Sequence, residues 1–143
     1  LYIGRGLDYA LSMEGSLKLK EVSYIHSESY AAGELKHGTI SLIDEDVPVI
    51  AVATQTGIIP KTISNVVEVK SRGAKVILVC TDACARELKD GVADYVIEIP
   101  HTDELLMPIT AVVPLQILAY YTSINRGIDP DKPKNLAKSV TVE

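Results

Sequence analysis

Short apolar runs rich in β-branched residues alternate along this chain with longer segments of helical character. The clearest runs are Val47 to Ala53, Lys75 to Cys80 and Asp94 to Ile99, and a shorter one opens the chain at Leu1 to Ile3. A strand that is apolar on both faces is typical of a parallel sheet covered by helices on both sides. The pattern therefore predicts an α/β fold, a three-layer α/β/α sandwich with a parallel sheet of four or five strands.

The segments between these runs have the signals of helices and loops. A hydroxyl-rich turn at Thr54 to Gly57 leads into a predicted helix that ends near Lys70, before an Arg-Gly stop signal. A short helix is predicted from Asp82 to Lys89, and a long one from about Leu105 to Asn125. The stretch from Tyr30 to Gly38 is predicted to be a loop with at most one helical turn.

Size and charge exclude several classes of function. The chain has 143 residues, and its net charge is −5, from 14 basic and 19 acidic residues. One core suits this length, and no basic stripe for nucleic acid is present. The apolar run from Leu105 to Tyr121 is interrupted by prolines and polar residues, which favours a buried helix over a membrane span. We therefore expect a cytoplasmic protein without nucleic-acid or membrane partners.

The two cysteines do not indicate a metal site. Cys80 and Cys84 lack the further ligands that a structural zinc site needs at regular spacing. Buried, reduced thiols are the expected state in a cytosolic protein. No metal and no cofactor are predicted.

Three ionisable residues of the first helix form the most unusual pattern in the sequence. At about 100° per residue, Glu14, Lys18 and Glu21 fall on one narrow stripe. The same arc carries five apolar residues, namely Leu7, Ala10, Leu11, Val22 and Ile25. The opposite arc, which we expect to face solvent, carries Ser12, Ser16, Lys20 and Ser23. Charges set into a core-facing arc must pair or line a cavity, so the stripe is either a structural ion network or a polar site.

The turn at the start of this helix, Gly4-Arg5-Gly6, resembles the opening of a dinucleotide-binding unit. That fingerprint requires a third glycine at the position that Tyr9 occupies. A tight turn is therefore the favoured interpretation. Ligands of such folds bind beyond the carboxyl ends of the strands. This turn, the Thr54 to Gly57 turn and the start of the first helix are predicted to share that rim.

Two long motifs connect the chain to a known family. The run EGSLKLKEVSYIHSESYAAGELKHG at 14–38 and the ending NLAKSVTVE at 135–143 resemble the C-terminal part of the glucosamine-6-phosphate synthase family (glutamine–fructose-6-phosphate aminotransferase, isomerising). More narrowly, the chain is similar to the second of its two sugar-isomerase (SIS) domains. The resemblance implies an SIS-type, flavodoxin-like sandwich at 1–128, followed by a C-terminal tail at 129–143.

The resemblance also implies a reaction, in which fructose 6-phosphate and ammonia delivered from glutamine give glucosamine 6-phosphate. Glu21 resembles the base that moves a proton between carbons 1 and 2 of the open-chain imine. Lys18 and Glu14 match its polar partners. His37 resembles the ring-opening histidine, which in the family reaches the active site of the neighbouring subunit. Lys138 resembles the lysine that forms a Schiff base with the sugar ketone.

Substrate binding is implied for Ala137, Lys138 and Glu21. Family members are homodimers with a glutaminase domain and a first SIS domain, which holds the main phosphate-binding loop. We expect both domains to precede Leu1, and the isolated chain to be inactive. The Thr54 to Gly57 turn resembles that loop, but Ile58 and its neighbour depart from it. A helix N-cap role for Thr56 is therefore preferred.

Two other classes of function are open to an α/β chain of this kind, a sugar-phosphate-binding module and a nucleotide-binding domain. A non-catalytic module that binds a sugar phosphate would need neither a base nor an imine-forming lysine, yet the chain has candidates for both. A nucleotide-binding domain fails on the missing third glycine. The sugar-phosphate-binding module is the remaining alternative.

Overall fold

Five parallel strands form the central sheet in the computed structural model, which describes residues 1–134. Their order across the sheet is β2-β1-β3-β4-β5, and every neighbouring pair is parallel. The strands are β1 (Tyr2–Gly4), β2 (Ser29–Ala31), β3 (Pro48–Ala53), β4 (Lys75–Thr81) and β5 (Tyr95–Ile99).

Helices cover both faces of this sheet. The α-helices are α1 (Leu7–Ser23), α2 (Ile59–Lys70), α3 (Asp82–Glu87) and α4 (Met107–Asn125). Three short 3₁₀ segments span Ala32–His37, Thr39–Leu42 and Thr56–Ile58. The helices α1 and α4 pack together on one face, and α2, α3 and the first 3₁₀ segment pack on the other. The predicted three-layer α/β/α sandwich is confirmed.

The apolar runs of the sequence are explained by two cores, one on each face of the sheet. In β3, Val49 and Ala51 belong to the core under α2, while Ile50 and Val52 belong to the core under α1 and α4. All four are at most 5% exposed. Because successive side chains of a strand point to opposite faces, a strand between two helical layers must be apolar throughout.

The sequence prediction missed one strand. Residues Ser29–Ala31 form β2, an edge strand paired with β1 in the register Tyr2 to Ser29 and Ile3 to Tyr30. The prediction of a loop with at most one helical turn at Tyr30 to Gly38 is therefore wrong, since Tyr30 lies in β2 and the six residues Ala32–His37 form two turns of 3₁₀ helix. A three-residue edge strand that contains serine has neither the length nor the apolar pattern that identifies a buried strand. The other predicted strands and helices are present, with α3 ending at Glu87.

The serine arc of α1 is buried, so the prediction that it faces solvent is wrong. Ser12, Ser16 and Ser23 are at most 2% exposed. The Ser12 hydroxyl donates to Asp8 O at 2.7 Å, and that of Ser23 donates to the carbonyl four residues earlier, so burial leaves neither hydroxyl unpaired. A Cβ on Gly15 would lie within 3 Å of side-chain atoms of Tyr2 and Leu115. Small residues thus let α1 approach β1 and α4 closely.

The helix α4 is buried on one face only. Met107, Ala111 and Leu115 are at most 1% exposed, whereas Ile109 and Val113 are 67% and 46% exposed. Among the helices of residues 1–134, it is the one whose length and composition would allow it to cross a membrane. Here it packs against α1 and the sheet, so the expectation of a buried helix holds for that face.

Candidate active site

The stripe of ionisable residues on α1 forms a connected ion network. Lys18 Nζ donates to Glu21 Oε2 at 2.5 Å and lies 3.7 Å from Glu14 Oε1. The three side chains are 31% (Lys18), 32% (Glu21) and 43% (Glu14) exposed, so the stripe lies at the border between the buried arc and solvent. Hydrogen bonding to Glu21 raises the pKa of Lys18. Lys18 is therefore a cation at neutral pH and cannot be a nucleophile there.

This network lies far from the rim that the sequence singled out for ligands. The helix between two parallel strands runs back along the sheet, so α1 begins at the carboxyl ends and finishes at the amino ends of the strands. Glu21 follows Asp8 by 13 residues, which is roughly 20 Å along the helix axis. The candidate proton-transfer group therefore belongs to the edge opposite that rim.

The rim itself is held together by Asp8, which the sequence analysis did not single out. Its carboxylate is 1% exposed and accepts hydrogen bonds from Thr54 N at 2.8 Å, Thr54 Oγ1 at 2.5 Å and Gln55 N at 3.4 Å. Burial raises the pKa of Asp8, and the hydrogen bonds from Thr54 and Gln55 oppose this effect. The Gly4-to-Gly6 and Thr54-to-Gly57 turns thus meet as predicted, since Gln55 Oε1 also accepts from Leu7 N at 2.9 Å.

The backbone N–H groups of the Thr54-to-Gly57 turn are largely occupied by the chain's own carboxylates. Asp8 binds those of Thr54 and Gln55, and Glu104 Oε1 accepts from Thr56 N at 3.1 Å. This disfavours phosphate binding there. The N-cap role of Thr56 is wrong, because α2 is preceded by Ile58 and has no side-chain cap.

His37 lies apart from the ion network. Its side chain is 75% exposed, at the end of the 3₁₀ segment Ala32–His37, and its Nε2 is 3.9 Å from Glu34 Oε2. Within residues 1–134, no hydrogen bond or ion pair joins it to Glu14, Lys18 or Glu21. The structure therefore presents His37 to solvent.

Arg5 lies between α2 and the segment that carries His37. Its Nε and Nη2 donate to Asn65 Oδ1 on α2 at 3.1 and 2.9 Å. The guanidinium also lies over Gly33, where an added Cβ would be 2.9 Å from Arg5 Nη1. The only signal for this role in the sequence is that Arg5 lies between two glycines, Gly4 and Gly6, where the first strand ends.

Lys138 and Ala137 lie outside the described residues, but the chain that leads to them is described. Arg126 Nη1 donates to Ser23 O at 2.9 Å, and the backbone N–H of Lys134 donates to Tyr24 Oη. The tail therefore departs from the C-terminal end of α1, three residues beyond Glu21. From Lys134, four more residues span at most about 14 Å.

The cysteines are buried free thiols, as predicted. Hydrogen bonding to Cys84 and burial both raise the pKa of Cys80. In the described part of the chain, no three histidine, cysteine or acidic side chains are grouped so as to hold a metal ion.

Comparison with known proteins gives one family over most of the chain. The SIS domain family matches residues 1–126. The chain is 58% identical over 142 residues to a glutamine–fructose-6-phosphate aminotransferase (isomerizing) of Caldanaerobacter subterraneus, and 57% identical over 142 residues to that of Clostridium perfringens. Each match covers 99% of this chain but 23% of the relative, so the chain spans about a quarter of their length.

Solved structures agree with this assignment. The C-terminal domain of glucosamine-fructose-6-phosphate aminotransferase from Francisella tularensis superimposes with a TM-score of 0.86 at 40% identity, covering 92% of this chain and 36% of that one. Glucosamine-6-phosphate deaminase from Thermotoga maritima gives a TM-score of 0.74 at 29% identity, covering 97% and 39%. Because the SIS family matches residues 1–126 and the sheet has the order described above, the chain belongs to the SIS domain family.

Proposed function

We propose that this chain works as the C-terminal isomerase domain of a glutamine–fructose-6-phosphate aminotransferase. In the proposed reaction, fructose 6-phosphate and glutamine-derived ammonia give glucosamine 6-phosphate. The observation that carries the proposal is the convergence of the Glu14–Lys18–Glu21 network and the start of the C-terminal tail at one end of α1. A base and an amine are the two groups that an imine-forming isomerisation needs.

Glu21 is the base in this proposal. Its carboxylate takes a proton from carbon 1 of the open-chain imine and returns it to carbon 2, the imine carbon, which carries no hydrogen of its own. Lys18, held 2.5 Å away, keeps this carboxylate in one orientation, and Glu14, 3.7 Å from the same nitrogen, helps to hold the lysine in place. The side chains of Lys18 and Glu21 are each about one third exposed. A substrate can therefore reach them, whereas a fully buried network would exclude it.

Lys138 supplies the amine. Its nitrogen adds to the ketone carbon of the open-chain sugar, and loss of water leaves the Schiff base. Ammonia then adds to the same carbon and the lysine amine leaves, which gives the open-chain imine on which Glu21 acts. Ala137 is proposed to contact the same sugar. The path of the chain to Lys134 supports this role, since the remaining residues start from the end of α1 that carries Glu21.

His37 is proposed to open the sugar ring in the active site of a second subunit. A 75% exposed histidine without contact to Glu21 or Lys18 among residues 1–134 suits a role at another surface better than one at its own stripe. This part of the proposal requires a homodimer.

The main phosphate-binding loop is proposed to lie on a first SIS domain, with ammonia supplied by a glutaminase domain, in a cytoplasmic enzyme. The backbone N–H groups of the Thr54-to-Gly57 turn already donate to Asp8 and Glu104. This supports a phosphate-binding loop on the first SIS domain and not on this one. Binding energy from a non-reacting phosphate is normally used to position the reacting carbons. The chain by itself should therefore form no product, even with free ammonium.

A domain exchange tests the proposal. The matching 142 residues of the Clostridium perfringens relative are replaced by this chain, and glucosamine 6-phosphate is measured with fructose 6-phosphate and glutamine. We expect product from the exchanged enzyme and none from the chain alone. A folded exchanged enzyme that binds fructose 6-phosphate without turnover would favour the non-catalytic sugar-phosphate-binding module. Product from the chain alone with ammonium would show that the phosphate site is misplaced.

A further inference from the structure

The helix α1 ends at a tyrosine whose backbone has the left-handed conformation. Tyr24 has φ 57° and ψ 20°, and its N–H donates to Lys20 O at 3.1 Å. Glycine is the usual residue at such a position, and a bulky side chain there is an outlier. The presence of a tyrosine here therefore indicates that its side chain has a specific role.

The phenol of Tyr24 binds a part of the chain that is distant in sequence. Its oxygen accepts the backbone N–H of Lys134, 110 residues further on. Tyr24 is 38% exposed, so this hydrogen bond lies at the surface. The contact joins the last turn of α1 to the start of the C-terminal tail.

This contact is the last of a series that follows the chain after α4. The buried Ser123 hydroxyl lies 2.8 Å from Val22 O and 3.1 Å from Ile128 O. Arg126 then reaches Ser23 O at 2.9 Å. The chain from Ser123 to Lys134 therefore remains against the end of α1, and Tyr24 is the final point of attachment among the described residues.

We propose that Tyr24 is a positioning residue that sets the place from which the tail residues 135–143 begin. It acts through Lys134, which is four residues before Lys138, so the inference rests on the proposed function for the role of that lysine. Four residues reach at most about 14 Å, and Glu21 is on the same last turns of α1. Fixing the tail here keeps the amine and the proposed base within reach of one sugar.

The first test measures the anchor without any chemistry. Trypsin cleaves the bond after Lys134, and Tyr24→Phe removes only the acceptor oxygen. We expect cleavage at Lys134–Asn135 to become about five-fold faster, the factor that corresponds to one ordinary hydrogen bond, with a thermal midpoint lowered by no more than about 4 °C. The matched control is Tyr95→Phe, a 60% exposed tyrosine on the edge strand β5, which should leave both quantities unchanged.

A second variant separates anchoring from helix capping. Tyr24→Gly suits the left-handed backbone, so it should keep the thermal midpoint at least as high as in the unsubstituted chain. It should nevertheless speed cleavage as much as Tyr24→Phe does. Equal cleavage rates in the unsubstituted chain and in Tyr24→Phe would overturn the anchor. A lower midpoint with unchanged cleavage would show that Tyr24 only caps the helix.

The second test uses the exchanged enzyme with fructose 6-phosphate and borohydride, which traps a Schiff base. Tyr24→Phe should slow labelling of Lys138 and lower kcat about five-fold or more, with little change in KM, since the phosphate is bound elsewhere. Labelling of Lys138 at the same rate in both enzymes would overturn the positioning role. No labelling of Lys138 in the unsubstituted enzyme would overturn the proposed function and the positioning role together, whereas the cleavage experiment judges the anchor independently.

Discussion

The Asp8 carboxylate accepts hydrogen bonds from both the backbone N–H and the hydroxyl of Thr54, at 2.8 and 2.5 Å. This pair joins the first turn of α1 to the end of β3, at the point where the connections from β1 and β3 leave the sheet in opposite directions. In folds of this type that crevice is the usual ligand site. Here a buried side chain of the protein fills part of it.

Replacing Asp8 should reveal how much this pair stabilises the fold. Asp8→Ala leaves the buried Thr54 N–H without a partner, so we expect a loss of about 1–3 kcal/mol in the free energy of unfolding. Asp8→Asn should lose less, because its oxygen can accept from Thr54 N while its NH₂ group donates to Thr54 Oγ1. Urea denaturation of both variants at pH 7 measures the difference. Equal losses would contradict the hydrogen-bond account.

The same residue predicts the direction of a pH effect. Burial raises the pKa of Asp8 in the folded chain above its ordinary value of 3.8. Its contribution to stability is therefore complete below about pH 4 and is lost as the pH rises through the folded-state pKa. Relative to Asp8→Asn, which does not titrate, the unsubstituted chain should become less stable between pH 4 and pH 7. Denaturation curves at several pH values check this. A stability difference between the two proteins that stays constant, or that grows in favour of the unsubstituted chain as the pH rises, would refute it.

Glu21→Gln in the exchanged enzyme tests the proposed base. Glutamine keeps the shape of the side chain but cannot accept a proton at neutral pH, so kcat should fall by roughly 100-fold or more. The lost ion pair with Lys18 is about one third exposed and should cost no more than about 1 kcal/mol of stability. Glu45→Gln, an exposed position, is the control. A lower melting temperature with normal turnover would instead identify a purely structural network.

Gly33→Ala should disturb the attachment of the segment that ends at His37. The new Cβ would lie 2.9 Å from Arg5 Nη1, and a shift of the guanidinium weakens its hydrogen bonds to Asn65. We expect a loss of roughly 1–2 kcal/mol in the free energy of unfolding. Gly57→Ala is the matched control, because its Cβ would meet no atom within 4 Å.

The role of Arg5 can be separated from simple crowding. If Gly33→Ala acts through Arg5 and Asn65, adding Asn65→Ala should cost less in the double variant than it does alone. Additive losses would mean that the crowding at Gly33 is independent of that hydrogen bond.

The Thr54-to-Gly57 turn should not bind inorganic phosphate. Its N–H groups at Thr54, Gln55 and Thr56 already donate to Asp8 or Glu104, and two carboxylates repel an anion. Amide chemical shifts of this turn should stay constant when phosphate is titrated to millimolar concentration. Saturable shifts confined to the turn would restore it as a phosphate site.

The sequence alone determined the layers of the fold, because its signals are local. A strand such as β3, covered on both faces, must be apolar at every position, and α2 ends at the Arg-Gly stop signal. The spacing of Glu14, Lys18 and Glu21 likewise follows from helix geometry, and the ion network between them is present.

Tertiary structure decided which arc of α1 is buried and what meets at its two ends. Hydrophobicity pointed to the arc of the charged stripe, but the serine arc packs, because small side chains permit close approach. The hydroxyls of Ser12 and Ser23 bond to carbonyls of their own helix, and that of Ser16 pairs with the Ser27 hydroxyl. Asp8 and Thr54 are 46 residues apart in the sequence, and Tyr24 and Lys134 are 110 residues apart. Helical or strand periodicity does not encode such pairs, since their partners come together only after the sheet order has placed the chain.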